Sequence, residues 1–218
     1  MNVIVTTGPS YEPIDEVRRL TNFSTGELGV RLANRLAQTG CTVFCLRGVS
    51  ATYPGPLEGP RALPFTTNDD LYHQLVELGR SQTIDAVFHA AALCDFKVKQ
   101  VKDVEGHQCA SAKIDSRVPG LTIQLEPASK VISQMRALFP DALLVGWKYE
   151  LAGTRDEALG RAWRQLRENQ SDACVLNGKA YGSGFALCTP PDRIQELRDK
   201  TEVVECLPRW LRELKGRA

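Results

Sequence analysis

Residues 3–29, VIVTTGPSYEPIDEVRRLTNFSTGELG, decide the fold. The run opens on apolar, β-branched residues that read as a buried strand. It closes on Ser24-Thr25-Gly26-Glu27, where a serine followed three residues later by a glutamate has the spacing of a capping box. A helix is expected to start there. The connection between strand and helix is long. It carries Gly8-Pro9 near its start and Thr21 to Gly26 near its end, in place of the short turn of an ordinary dinucleotide fold. Glycines at a helix start let a phosphate approach backbone N–H groups at the positive end of the helix dipole. The stretch reads as one side of a nucleotide pocket with an unusual lip.

Outward from this stretch, residues 27–38 place Leu28, Leu32, Ala33 and Leu36 on one helical face, and Gly40 supplies a stop. A second strand over 42–47 completes a strand-helix-strand unit, which implies a parallel sheet with right-handed crossovers. Further strands are expected near 62–65 and over 85–91, 142–147, 172–177 and 184–189. A helix capped by Thr67 or Asn68 should run from 69 to about 80, and another should begin at Pro127 to Ser129. Thr154 and Glu157 form a second capping box, for a helix to about 168. The segment after Pro190-Pro191-Asp192 pairs back over 193–197, and the last segment reads as a helix capped by Thr201, with Pro208 bending it or setting a new start. Residues 97–120 break the rhythm with many charges and spaced valines, and read as a flap outside the sheet that leads to a strand over 121–125. The expected fold is α/β: a Rossmann-like three-layer sandwich with a mostly parallel sheet and a protruding flap, formed by residues 1–218 as one domain.

Lys+Arg 27 against Asp+Glu 26 leaves a formal net charge of +1, so no global field attracts nucleic acid or an anionic membrane. No apolar run approaches the ~20 residues needed to span a bilayer, and a soluble, cytoplasmic chain is expected. The seven cysteines form no CxxC pair or zinc-like spacing and read as reduced core residues. Cys94 stands beside a candidate site at the end of a strand, but has no telling histidine partner and also reads as packing.

The run TTGPSYEPIDEVRRLTNFSTGELG resembles the phosphopantothenoylcysteine synthetase family pattern T-x-G-P-T-x-E-P-I-D-x-V-R followed by N-x-S-S-G-x-x-G. Ala90 to Phe96 resembles its A-A-V-x-D-[FY], Lys113-Ile114 the opening of its K-I-K-K, Leu144 to Trp147 its L-V-G-F, and Cys174 to Asn177 its V-x-N strand. The resemblance implies ATP- or CTP-dependent joining of 4'-phosphopantothenate to cysteine through an acyl-nucleotidyl intermediate, with Mg2+, in a homodimer built by the flap. On that reading Lys113 neutralises charge as the carboxylate attacks the α-phosphate, and Asn22 donates to the oxyanion formed when the amine attacks. Gly8, Ser24, Thr25, Gly26, Ala91, Ala92, Asp95, Gly146 and Trp147 would bind the nucleotide. Asp95, at a strand's carboxyl end, suits either a phosphate-bridging Mg2+ or the pantothenate part, and is the one candidate metal contact. Three departures stand out: K-I-K-K is here Lys113-Ile114-Asp115-Ser116, the alanines after L-V-G-F are Lys148 and Tyr149, and the later N-D is Asn177-Gly178. A divergent nucleotide-binding module without ligase activity is the alternative. A nicotinamide- or flavin-dependent oxidoreductase is disfavoured, because G-x-G-x-x-G is absent and Arg47-Gly48 follows the second strand where an acid would stand.

Overall fold

The computed structural model describes residues 1–109 and 112–216. Positions 110 and 111 of the expected flap lie outside the described residues. Four parallel strands of the main sheet come first, β1 (Asn2–Thr7), β4 (Thr42–Gly48), β5 (Arg61–Phe65) and β6 (Ala86–His89), and between β1 and β4 the chain forms a small hairpin of β2 (Tyr11–Pro13) and β3 (Arg19–Thr21) outside that sheet. A second hairpin, β7 (Phe96–Asp103) with β8 (Leu121–Pro127), stands outside the main sheet. β9 (Leu143–Tyr149), β10 (Ala173–Asn177), β11 (Phe185–Thr189) and β12 (Arg193–Leu197) follow. The eight-stranded sheet has the order β12-β11-β10-β9-β6-β1-β4-β5, parallel except where β11 and β12 turn back.

Alternation along the strands sorts side chains into two cores. On one face Val3, Val5, Val43, Cys45 and Phe88 meet Leu32, Ala33 and Leu36 of α1 (Glu27–Gln38) and Val203, Leu207 and Leu211 of α5 (Lys200–Lys215). On the other, Ile4, Leu46, Val87 and Leu144 meet Leu71 and Leu75 of α2 (Asn68–Ser81) and Met135 of α3 (Ile132–Leu138). α4 (Arg155–Glu168) covers Cys174, Leu176 and Cys188 on that side. Each fully buried Leu, Ile or Val contributes about 1.5–3 kcal/mol, so the two layers of helices are held mainly by these stripes. Six of the seven cysteines are buried and all are free, as packing requires.

Several local expectations change. Ser24 does not cap α1: Gly26 takes the N-cap position at φ 79 with no side-chain cap, and the Glu27 side chain turns instead to Lys200 and Arg31. Asp199, not Thr201, caps α5 through the Glu202 N–H, and the helix runs through Pro208 without a new start. Thr67 caps α2, and the Thr154–Glu157 box is present on α4. The flap is wider than 97–120, because β8 is its second strand rather than a strand it leads to. Among the described residues no helix is long and apolar enough to cross a membrane.

Candidate active site

β1 feeds α1 and then β4 on one side, whereas α2 feeds β6 on the other, so the winding of the parallel sheet reverses between β1 and β6. Open α/β sheets bind ligands at the carboxyl ends of strands beside such a switch point. Here the two loops are joined: Pro9 and Ala92 form a parallel bridge, and the Ala92 N–H donates to Gly8 O at 3.0 Å. Gly8, at φ 77, lies back to back with Gly26. A Cβ on Gly8 would sit 2.7 Å from the Ala51 Cβ, and one on Gly26 would sit 3.1 Å from the same atom. The lip is thus drawn shut by glycine packing against the loop after β4. Thr7 Oγ1 donates to Gly26 O at 2.9 Å, and the Tyr53 N–H donates to Thr25 O at 2.9 Å. Ser24 lies on the same lip, where its N–H donates to Asn22 O.

Asn22 follows β3 and crosses to the opposite loop. Its side-chain amide donates to Ala92 O (3.2 Å) and Leu93 O (2.9 Å), so both amide hydrogens are engaged. Beneath it runs a polar network that sequence reasoning missed. Ser10 Oγ donates to Asn68 Oδ1 (2.7 Å) and accepts from the Cys94 N–H (2.9 Å). The buried Asn68 amide donates to Cys94 O (2.8 Å) and Ser129 O (3.3 Å). This network ties together the loops after β1, β5, β6 and β8. The only signal in the sequence was an asparagine beside a helix cap. Burial pushes the Cys94 thiol up from its ordinary value, in keeping with a packing role. Glu12, also buried, has its carboxyl pushed up by burial and by Asp69, against the Lys97 charge and an N–H from Asn68.

Beyond Ala91 the strand ends enclose a cleft of about 280 Å³ whose lining includes Ala91, Asp95, Lys130, Trp147, Lys148 and Arg161. Three of the sequence-predicted residues, Ala91, Asp95 and Trp147, therefore meet there. Gly146 lies behind the wall: a Cβ on it would come within 2.7 Å of Gln165 Nε2 and 2.9 Å of Ile132 Cδ1, so its lack of a side chain lets α3 and α4 close the cleft. Glu150 pairs with Lys148 (3.4 Å) and Arg161 (2.7 Å) at the rim. His89 also lines the cleft. Its Nδ1 is 2.7 Å from Thr6 Oγ1, and full burial brings its pKa down to about 4, so the ring is neutral near pH 7. Among the described residues no group of three or more His, Cys, Asp or Glu could hold a metal.

Lys113 is exposed, and its main chain is docked on the turn between β2 and β3. Asp15 Oδ1 accepts from the Val17 and Arg18 N–H groups (2.9 and 2.7 Å), and Oδ2 accepts from the Ile114 N–H (3.2 Å). Arg18 Nη2 donates to Ile114 O (2.7 Å) and the Glu16 N–H to Ala112 O (2.9 Å). Burial pushes the Asp15 carboxyl up. The three N–H donors and the Arg18 charge outweigh it and hold the group below its ordinary value. Asp15 and Arg18 stood in the quoted run without an assigned role, and their partner lies 96 to 99 residues away, beyond any local pattern.

Residues 1–206 match the family model of the DNA/pantothenate metabolism flavoprotein C-terminal domain. The chain belongs to that family. Its relatives include the coenzyme A biosynthesis bifunctional protein CoaBC of Thermococcus kodakarensis, 34% identical over 83% of this chain and 42% of that protein. The CoaBC of Bacillus subtilis is 30% identical over 86% of this chain and 43% of its own length. The chain spans less than half the length of these two relatives. Among solved structures, the DNA/pantothenate metabolism flavoprotein of Streptococcus pneumoniae superposes with a TM-score of 0.84 at 25% identity, covering 100% of both chains. A Cab2 variant in complex with phosphopantothenate-cysteine shares the fold, with a TM-score of 0.75 at 18% identity over 99% of this chain and 86% of that one.

Proposed function

We propose that this member of the DNA/pantothenate metabolism flavoprotein C-terminal domain family joins 4'-phosphopantothenate to cysteine in two steps. A carboxylate oxygen attacks the α-phosphorus of ATP or CTP and pyrophosphate leaves. The cysteine amine then attacks the acyl carbon, the nucleoside monophosphate leaves, and the amine loses a proton. The observation that carries the reading is the meeting of Ala91, Asp95 and Trp147 with Lys130, Lys148 and Arg161 in one cleft at the sheet's switch point. The names of the relatives support it. Cations converging on a local cleft suit a polyphosphate in a chain with almost no net charge. Two orphaned groups fit a bound ligand: the Ser50 Oγ beside the lip and the Trp147 Nε1 at the end of β9 are buried without a hydrogen-bond partner among the described residues. The acid that replaces a family lysine, Asp115, is neutralised by Arg117 at 2.7 Å, which favours retained anion binding over a module that has lost it.

On this reading Lys113 supplies positive charge as the carboxylate attacks, and Asn22 stabilises the oxyanion of the second step. Donation by Asn22 requires it to exchange one of its two carbonyl partners for the oxyanion. Gly8, Ser24, Thr25, Gly26 and Ala92 carry the lip against the nucleotide, and Gly146 shapes the cleft. Mg2+ would be held mainly by the phosphates, with Asp95 as the protein group at hand. The chain acts in the cytoplasm as one catalytic domain and pairs with a second copy through the flap. One face of that hairpin presents Phe96, Leu121 and Leu125, which are 53%, 39% and 42% exposed, and the other carries the Lys97–Glu126 pair.

The test is to incubate the protein with phosphopantothenate, Mg2+, either ATP or CTP, and cysteine, and to follow pyrophosphate and product. Turnover that needs all four components is expected. Nucleotide binding without pyrophosphate release would favour the inactive module, and hydride exchange with a nicotinamide would sink the ligase.

A further inference from the structure

We infer that Asp15 is a positioning residue for Lys113: its carboxylate latches the flap's main chain at Ile114 to the hairpin that ends in Asn22. Asp15 lies in the turn between β2 and β3 and belongs to neither core, yet its side chain is only 1% exposed. One oxygen builds the β2–β3 turn by accepting from Val17 and Arg18. The other is turned outward and takes the Ile114 N–H from a segment 99 residues on. The Ile114 side chain is itself buried at 1% exposure, and its carbonyl is held by Arg18, so the residue after Lys113 is fixed by its N–H, its C=O and its side chain. The hairpin in turn is tied to the body: the Tyr11 N–H donates to Thr66 O (3.0 Å), and Thr21 Oγ1 donates to Ser10 O (2.7 Å) immediately before Asn22. Asn22 at the hairpin's base and Lys113 at its tip therefore ride on one element. The two groups assigned to successive steps keep a set relation because of a carboxylate that meets no substrate.

This inference rests on the proposed role of Lys113, and the substitution Asp15→Asn separates it from a purely structural role. Asparagine keeps the oxygen that builds the turn and replaces the oxygen facing Ile114 with an N–H2 group, which cannot accept. Hydrogen exchange of the full chain is expected to show the Ile114 amide exchanging about 10-fold faster in Asp15→Asn, with the core strands unchanged. Single-turnover formation of the acyl-nucleotide should fall about 10²-fold, as expected for a misplaced charged group. The attack of cysteine on pre-formed acyl-nucleotide should keep its rate. In a Lys113→Ala background, Asp15→Asn should have no further effect on the first step, because the two act as a unit. Unchanged exchange at Ile114 would overturn the latch. Faster exchange with a normal first step, or an additive loss in the double variant, would overturn the positioning role. A wild-type protein that releases no pyrophosphate refutes the ligase reading instead, and the Ile114 amide still decides the latch.

Discussion

Gly29 has no room for a side chain. A Cβ there would stand 2.2 Å from Thr7 Oγ1, which itself holds the lip through Gly26 O. Alanine in a helix ordinarily gains about 1 kcal/mol over glycine, but overpacking at such contact costs about 1–3 kcal/mol. Gly29→Ala is expected to lower the unfolding free energy by a net of about 1 kcal/mol, read as a lower urea midpoint, and an unchanged midpoint would show that α1 can slide. His89 makes a pH prediction. Its folded pKa near 4 lies below the ordinary 6.5, so the unfolded chain binds the proton more readily. Stability should be full above pH 6.5 and fall as pH drops toward 4, by at most about 3 kcal/mol. Denaturant titrations of wild type and His89→Gln between pH 7 and 4.5 check this, with the variant showing the flatter profile. For Asn22→Ala, the acyl-nucleotide should accumulate in quenched samples while cysteine attack slows by about 10²–10³-fold. Lys113→Ala should prevent that intermediate from forming, and its accumulation there would reverse the two roles.

At the scale of elements, the helices show what a sequence can and cannot disclose. The Thr154–Glu157 box is local chemistry: both partners lie within one turn, and nothing distant competes for them. The same spacing at Ser24–Glu27 failed because Gly8, Gly26 and Ala51 pack so closely that a left-handed residue must start α1. Lys200, 173 residues away, then takes the glutamate. The body of helix α1 was legible because its stripe of Leu32, Ala33 and Leu36 and its glycine stop are local signals, although its N-cap was not. Asn68, Asp15 and Arg18 were not, since their partners belong to other loops. For the flap hairpin, changing Leu121 and Leu125 together to Glu should leave the melting transition nearly unmoved, because both are partly exposed. Sedimentation should shift from dimer to monomer. A wild-type protein that sediments as a monomer at tens of micromolar would refute pairing through this face.

The whole molecule carries a formal net charge of only +1, yet Lys130, Lys148, Arg161 and Arg164 border one cleft with Asp95 and Glu168. Nucleotide affinity is expected to weaken by about 10-fold between 50 and 500 mM salt, as screening shortens to a few ångströms. Salt-independent affinity measured by calorimetry would show that these cations face solvent rather than phosphate. The succession of the main-sheet strands and the helices could be read from apolar runs, but the order of those strands in the sheet, and hence the switch point, could not, because it depends on pairings between distant segments. The cations of the cleft could not, because they come from β9, α4 and the segment before α3.

The staple between α1 and α5 also has a meaning for synthesis. Glu27, the first residue of α1, is held by Lys200, the first of α5. Arg31 donates to Thr201, and Arg35 pairs with Glu205 at 2.8 Å. A ribosome-bound chain halted after Leu197 would already contain all eight strands of the main sheet, but the helix behind the lip would lack its outer cover. Assembly of the pocket is therefore expected to wait for α5 to emerge, which makes the helix behind the lip dependent on a segment translated 173 residues after it.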